Sequence, residues 1–446
     1  MLQLKMKHAL PAMAAALLLT LAAPAQASPP KPLPNPDRPA VTPMLQDSEA
    51  GTSASASAAR ICPALRRLAR RGNRSPGLRV LNLKTGKSIC TLNSLARRSL
   101  ASNNKLFTTS TALARLGRSH TFRTRVFSSG PIKNGTLDGN LFLKGGGDPS
   151  FGTSAFVDSY LAGVGTEVEK LAAQVKQAGI KRVTGRVVAD DTVFDRLRGV
   201  ADSGYATSSW IGPLSGLSFN AGFTSASMTR FSSDPARLAA RSLARALRVR
   251  GVNIRLESGL RQTPARAMKN LVARQVSPDM GWMVRITNLN SVNFWAEMLL
   301  KDLGATYLGS GTTANGVKVV RRTMASLGVN VWPIDGSGLT FGNRSTAHDV
   351  VKLLMRARSQ PWGKALLDSL PTAAVDGTLA DRMRGSAAQR RCHAKTGTLT
   401  GVSALSGYCF NESGRQFAFS ILMNDVTNLY TAHLAQDRIA ALIARL

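Results

Sequence analysis

The sequence predicts an α/β protein of the α+β type, in which both ends of the chain build one central antiparallel sheet flanked by helices. A basic amphipathic helix, 62–71, begins the folded part, and a helix from His433 ends it. Five segments have the apolar alternation of strands: 78–83, 88–92, 391–395, 403–410 and 416–423. Because a helix and strands open the chain and strands and a helix close it, we expect the two ends to share one sheet.

A smaller unit is inserted between these ends. Short strands with Gly-rich turns occupy 121–143, and the glycines at 145–147 mark a break in the pattern. The strongest patterns after this break are two helices and two strands: 168–178, 235–250, 182–189 and 252–256. Helical periodicity then dominates up to the last three strands. We therefore expect one domain formed by 61–147 and 276–446, with an inserted domain at 148–275.

The first 27 residues have the features of a secretory signal peptide. Two lysines precede an apolar run, 9–23, and Ala25-Gln26-Ala27 offers a cleavage site with small residues. Residues 28–60 are rich in Pro, Ser and Ala, which predicts a flexible linker. No later apolar run is long enough to span a membrane. We therefore expect an exported protein, in the periplasm or at the cell wall or outside the cell, without a transmembrane anchor.

The four cysteines fit an oxidising compartment. Cys62 and Cys90 flank the first helix and strands, whereas Cys392 and Cys409 flank a predicted hairpin. Four cysteines allow three pairings. We expect the two local disulfides, because each of them closes a short loop.

The chain is strongly basic, with 58 Lys and Arg against 25 Asp and Glu and a formal net charge of +33. Such a field attracts anionic surroundings, so anionic cell-wall polymers are candidate partners. No motif for specific nucleic-acid binding is present. The five histidines are scattered and the cysteines are better used as disulfides, so we expect neither a metal nor another cofactor.

The chemistry centres on Ser102, three residues before Lys105, where a loop leads into a predicted helix. Residues three apart lie on one face of a helix, with Cβ atoms roughly 5–6 Å apart. The amine can therefore take the hydroxyl proton, and free N–H groups of the first helical turn can stabilise an oxyanion. A Ser-x-x-Lys pattern alone is weak, because many solvated helix starts share this spacing.

Two further motifs supply the remaining parts of such a site. Ser291-Val292-Asn293 opens a predicted helix, and Lys395-Thr396-Gly397 lies on a predicted strand. In this order the three motifs are typical of serine β-lactamases and penicillin-binding proteins. Two decoys repeat them: Lys84-Thr85-Gly86 precedes the nucleophile and is predicted as a hairpin turn, and Ser218-Phe219-Asn220 lies in the inserted unit.

From about Gly77 to its end, the chain resembles the low-molecular-mass class C penicillin-binding proteins, the D-alanyl-D-alanine carboxypeptidase/endopeptidase family. Five segments carry the resemblance besides the Ser-x-x-Lys motif: Gly145–Ser150, Ser291–Leu299, Asp335–Thr340, Asp376–Leu379 and Lys395–Leu399. Leu289 and Val292 stand where the family often has lysine and aspartate. The short stretch between the first two motifs implies that the third domain of the family is absent or vestigial.

The resemblance implies a catalytic domain like that of penicillin-binding proteins and serine β-lactamases, acting on peptidoglycan stem peptides and acylated by β-lactams. Three catalytic residues are implied: Ser102 as nucleophile, Lys105 as base and Ser291 as proton relay. Four residues are implied to bind substrate: Asn293 the peptide, Lys395 and Thr396 the terminal carboxylate, and the Thr398 backbone N–H the oxyanion together with that of the nucleophile.

Two alternatives remain beside this prediction. A serine β-lactamase has the same three motifs, but the segments at 145–150, 335–340 and 376–379 and the long insertion argue against it. A non-catalytic cell-wall-binding protein on the same scaffold is the other alternative. The intact set of motifs argues against it, because loss of function usually removes a catalytic group first.

Overall fold

The computed structural model describes the backbone of residues 53–446 and the side chains of residues 61–446. The predicted signal peptide, 1–27, and the linker residues 28–52 lie outside the described residues. The helices are α1 (Ser53–Gly72), α2 (Lys105–Leu116), α3 (Ser154–Leu161), α4 (Val168–Gln177), α5 (Pro235–Val249), α6 (Met280–Leu289), α7 (Asn293–Leu308), α8 (Thr313–Ser326), α9 (Ala347–Arg358), α10 (Gly363–Ser369) and α11 (Leu429–Ile443). The strands are β1 (Gly77–Asn82), β2 (Ser88–Leu92), β3 (Arg98–Ser99), β4 (Arg123–Ser128), β5 (Ile132–Lys133), β6 (Thr136–Leu137), β7 (Leu141–Lys144), β8 (Arg182–Val183), β9 (Val187–Asp190), β10 (Ser258–Leu260), β11 (Leu271–Val276), β12 (Arg344–Ser345), β13 (Cys392–Leu399), β14 (Val402–Phe410) and β15 (Gln416–Asn424).

The main sheet joins the two ends of the chain, in the order β13-β14-β15-β1-β2. All of its neighbouring strands are antiparallel, and Val80 of β1 lies opposite Phe419 of β15. Helices α1 and α11 pack against each other and cover one face of this sheet. The predicted fold class, a central antiparallel sheet flanked by helices, is therefore confirmed.

Successive side chains of β14 point to opposite faces of the main sheet. Leu405 and Cys409 belong to the apolar cluster under α1 and α11, whereas Ala404 and Tyr408 belong to the larger cluster on the opposite side. The buried Tyr408 hydroxyl donates to the Leu354 carbonyl of α9 at 2.9 Å. Both faces are covered, which explains why this strand is apolar or small at nearly every position.

Two disulfides tie the sheet to its surroundings. Cys62 of α1 is bonded to Cys90 of β2, and Cys392 of β13 is bonded to Cys409 of β14. These are the two local pairings that the sequence predicts.

Helix α1 begins earlier than the sequence predicts. The linker was expected to extend to residue 60, but residues 53–60 form the first turns of α1. This stretch alternates serine with alanine, and alanine has the highest helix propensity, so it continues the helix that follows it.

The second sheet extends beyond the predicted inserted unit. Its order is β10-β9-β7-β4-β11, and both β4 and β7 precede residue 148. Helices α4 and α5 pack on this sheet around one apolar cluster. Because β4 pairs with β7 on one side and β11 on the other, the sheet cannot be divided at 148. We propose residues 123–276 as the inserted unit in place of the predicted 148–275.

Local differences from the predicted elements have local causes. The expected strand at 252–256 is irregular chain, and the strand β10 follows it at 258–260. The expected strand at 182–189 is divided into β8 and β9 at Gly185, where a Cβ would lie 2.4 Å from Asn140 Oδ1. Helix α6 was not predicted. None of the helices within residues 53–446 combines the length and apolar character needed to cross a bilayer.

Candidate active site

Ser102, the predicted nucleophile, lies in a short 3-10 turn, 101–104, which leads directly into α2. The sequence predicts Ser102 at the start of an α-helix, and the tighter turn is the observed conformation. Side chains three residues apart eclipse each other in a 3-10 helix. The Lys105 Nζ accordingly lies 3.0 Å from Ser102 Oγ. Ala101 adopts a positive φ of 45°, a conformation that is uncommon for a residue with a side chain.

Lys105 is fully buried, and three oxygen atoms surround its amine. Besides Ser102 Oγ, its Nζ lies 2.7 Å from Asn293 Oδ1 and 2.7 Å from the Ser337 carbonyl oxygen. A neutral amine has two N–H donors and one lone pair. The amide oxygen of Asn293 and the carbonyl oxygen of Ser337 can only accept, so they take both N–H groups. The lone pair is then directed at the Ser102 hydroxyl, as a general base requires.

Burial also makes the neutral amine accessible near pH 7. Loss of hydration lowers the pKa of Lys105 from 10.5 to about 7, while the negative charges of Asp335 and Glu297 act in the opposite direction. Desolvation therefore outweighs the attraction of the two carboxylates. The Ser-x-x-Lys pattern predicts Lys105 as the base but contains no information on its pKa.

A second buried lysine faces the first. Lys395 of β13 donates to Ser291 Oγ at 2.8 Å and to the Thr396 carbonyl at 3.0 Å. Burial lowers the pKa of Lys395 well below its usual value, and the charge of Lys105 lowers it further. Ser291 has a positive φ of 56° and precedes α7, whose N-cap is Val292. Because the Ser291 hydroxyl accepts from Lys395 Nζ, it faces the site.

Strand β13 forms one wall of the site. Asn103 Nδ2 donates to the Lys395 carbonyl at 3.1 Å, and a Cβ at Gly397 would lie 2.8 Å from the Leu100 carbonyl. This close approach explains the need for glycine there. The Thr396 hydroxyl lies 2.7 Å from the Thr378 hydroxyl. Thr398 follows on the same strand, with an exposed side chain.

The sequence does not predict three further contacts of the site, although two of them involve residues in the segments that carry the resemblance. Thr378, in the segment 376–379, contacts Thr396. Glu297 of α7 accepts hydrogen bonds from two backbone N–H groups of the segment 335–338. The Trp210 carbonyl of the inserted unit accepts from Asn293 Nδ2 at 3.1 Å, and Trp210 as a whole is 68% exposed. Trp210, a residue of the inserted unit, therefore orients the Asn293 amide, which in turn contacts Lys105.

The fold and the site define a class: serine acyl-transfer enzymes in which a lysine activates the nucleophile. The sequence model of the D-Ala-D-Ala carboxypeptidase 3 (S13) family matches residues 68–232 and 220–446. The chain therefore belongs to this family. This confirms the predicted resemblance and the predicted kind of enzyme, a serine-type D-Ala-D-Ala carboxypeptidase.

Individual relatives agree with this assignment. A D-alanyl-D-alanine carboxypeptidase of Actinomadura sp. (strain R39) is 32% identical over 450 residues, covering 82% of this chain and 81% of that protein. Carboxypeptidase DacB of Mycolicibacterium smegmatis is 30% identical, covering 77% of this chain and 74% of its own length. The crystal structure of penicillin binding protein 4 (dacB) from Haemophilus influenzae superposes with a TM-score of 0.70 at 21% identity, covering 85% of this chain and 97% of that chain.

Proposed function

We propose that this protein removes the terminal D-alanine from peptidoglycan stem peptides through an acyl-enzyme on Ser102, and that β-lactams acylate the same hydroxyl. The observation that carries the proposal is the environment of Lys105. Its amine is buried, and Asn293 and the Ser337 carbonyl occupy both of its N–H groups, so its lone pair is free for the nucleophile. The family and the named activity of the Actinomadura relative support the substrate class.

Acylation begins with attack of Ser102 Oγ on the carbonyl carbon between two D-alanines. The hydroxyl proton moves to Lys105 Nζ, and the carbonyl oxygen becomes an oxyanion. Backbone N–H groups of Ser102 and Thr398 hold this oxyanion, each contributing roughly 2.7–4 kcal/mol to the transition state. Ser291 passes the proton to the departing amine as the C–N bond breaks. Water then attacks the ester and releases the shortened peptide.

The terminal carboxylate of the substrate is bound by Lys395 and Thr396. In the free site, burial and the charge of Lys105 hold the pKa of Lys395 well below its usual value. The negative charge of the substrate carboxylate raises the pKa again. The Thr396 hydroxyl, oriented by Thr378 at 2.7 Å, adds a hydrogen bond. A substrate without a free carboxylate loses both contacts.

Intact-mass spectrometry with a penicillin tests the nucleophile. We expect one stoichiometric adduct on the parent protein and none on Ser102→Ala. Ser110→Ala is the matched control, because Ser110 is a buried serine on α2 whose hydroxyl makes no hydrogen bond within the described residues. An adduct on Ser102→Ala would contradict the proposed nucleophile. Rapid penicillin turnover without an adduct would favour a serine β-lactamase, and neither adduct nor turnover would favour a non-catalytic wall-binding protein.

We also propose that the enzyme is exported and that its positive charge holds it against anionic cell-wall polymers. The excess of Lys and Arg, the two disulfides and the predicted signal peptide support this proposal. Cosedimentation with isolated cell walls is expected to fall steeply with salt. Binding that does not change with salt, or secretion that survives deletion of residues 1–27, would contradict it.

A further inference from the structure

A buried carboxylate lies beneath the active site, one turn along α7 from Asn293. Glu297 is 0% exposed. Its Oε1 accepts hydrogen bonds from the backbone N–H groups of Gly336 at 2.9 Å and Ser337 at 2.6 Å. Its Oε2 has no hydrogen-bond partner within the described residues. Burying a carboxyl group that makes so few contacts is costly, so this position calls for a functional explanation.

The contacts of Glu297 lead to the catalytic lysine through a single residue. The N–H group of Ser337 donates to Glu297, and the carbonyl group of Ser337 accepts from Lys105 Nζ at 2.7 Å. Asn293, four residues earlier on α7, accepts from the same amine. Residues four apart lie on one face of a helix. Helix α7 therefore orients Lys105 in two ways, directly through Asn293 and indirectly through Ser337.

The loop that carries Ser337 has little freedom to orient itself in another way. A Cβ at Gly338 would lie 1.9 Å from the Ala101 carbonyl oxygen, in the turn that holds the nucleophile. The carboxylate of Asp335 is fully used inside the loop, where it accepts from the N–H groups of Gly338 and Thr340 and from an asparagine side chain. None of these bonds involves the N–H group of Ser337, for which Glu297 is the acceptor among the described residues.

We propose that Glu297 is a positioning residue of the acylation step. Its carboxylate holds the Ser337 carbonyl against Lys105, and its negative charge balances the ammonium that forms when Lys105 takes the proton of Ser102. The inference rests on the proposed function and adds a residue to it. Glu297 does not touch the substrate, and no bond to it forms or breaks.

The charges around Glu297 support an electrostatic role. Burial and the nearby Asp335 carboxylate raise the pKa of Glu297 to about 7, although the hydrogen bonds from the loop oppose this rise. The negative charge of Glu297 raises the pKa values of Lys105 on α2 and of Lys301 one turn further along α7. Removing this charge should therefore lower the pKa of Lys105 and make the lysine a weaker base.

The test compares three substitutions by their acylation rates with a chromogenic cephalosporin from pH 5 to pH 9. Glu297→Gln keeps an oxygen that can accept from the loop but removes the charge. The pKa of Glu297 is itself about 7, so the parent keeps this charge only in the upper part of the acidic limb. We therefore expect the midpoint of that limb to move down by roughly half a pH unit at most, with a plateau about tenfold lower. Glu297→Asp keeps the charge but shortens the side chain, so its plateau should fall while the limb stays in place. Glu297→Ala removes both the charge and the acceptor oxygen, so it should show both the lower plateau and the shifted limb.

Asp302→Asn is the matched control, because Asp302 is a second buried carboxyl group on α7 with an unpaired oxygen within the described residues. Its substitution should change thermal stability without moving the limb. The proposal would be overturned if the acidic limb of the pH profile did not move in Glu297→Gln and if the acylation rates of all variants fell only in proportion to their thermal stability. If the parent forms no Ser102 adduct, the proposed function fails first, and the role of Glu297 in acylation fails with it.

Discussion

The pH dependence of acylation follows from the burial of one amine. At pH 7 a lysine with the ordinary pKa of 10.5 is neutral in roughly one molecule in 3,000. Burial lowers the pKa of Lys105 to about 7, so half of the molecules carry the neutral base. The shift corresponds to roughly 5 kcal/mol of differential stabilisation between the two protonation states. The structure therefore predicts a rate advantage of about a thousandfold over an exposed lysine in the same geometry.

The assay measures the second-order rate constant of acylation by a penicillin between pH 5 and pH 10. A penicillin is suitable because its carboxylate remains ionised over this whole range. The neutral fraction of Lys105 rises as the pH rises through 7. We therefore expect the rate constant to increase about 50-fold from pH 5 to pH 7 and only about twofold above pH 7. Thermal denaturation at each pH shows whether the protein stays folded.

Two outcomes would refute this reasoning. A rate constant that continues to rise tenfold per pH unit up to pH 10 would show that Lys105 keeps an ordinary pKa and that burial does not neutralise it. A rate constant that does not change below pH 7 would show that the base is another group. A fall of the rate at higher pH would instead report on loss of the Lys395 ammonium, which we propose holds the penicillin carboxylate.

Two substitutions test the walls of the site. Gly338→Ala would bring a Cβ within 1.9 Å of the carbonyl that precedes the nucleophile, so we expect acylation to fall at least tenfold. Gly385→Ala is the control, because Gly385 also has a positive φ, 66° against 85° at Gly338, but a Cβ there would have no atom within 4 Å. This variant should lose stability and keep the acylation rate. Equal rates in both variants would contradict the steric argument. Thr396→Val removes a hydroxyl and should lower kcat/KM for a peptide with a free carboxylate by roughly tenfold or more, whereas Thr396→Ser should retain activity. The same loss with a C-terminally amidated peptide would show that this hydroxyl does not bind the carboxylate.

The elements that the sequence predicts best are those whose signal is local. The alternation in 403–410 and 416–423 is confirmed almost to the residue by β14 and β15. The second sheet is less predictable, because its strands are three to six residues long and some of them pair with segments far along the chain. The apolar pattern of a single short strand contains little information on which other strand it pairs with.

The residues of the site divide in the same way. Ser102 and Lys105 are three apart, so a motif can describe their contact. The two oxygen atoms that accept from the Lys105 amine lie 188 and 232 residues away along the chain. One of these is the backbone carbonyl of Ser337, and a backbone group has no side-chain identity that a sequence pattern could detect. Trp210 also acts through its carbonyl, so its contact with Asn293 is equally invisible.

The sequence by itself determined which reactive groups this protein has: a serine and a lysine at helical spacing, a second serine with an asparagine, and a lysine on a predicted strand. It also determined the fold class, because the element types at the two ends of the chain match. Only the tertiary structure decided the state of those groups. The pKa of Lys105 depends on the exclusion of water, and the direction of its lone pair depends on two distant acceptors. Desolvation and hydrogen-bond geometry arise from packing between distant segments, and no local pattern specifies them.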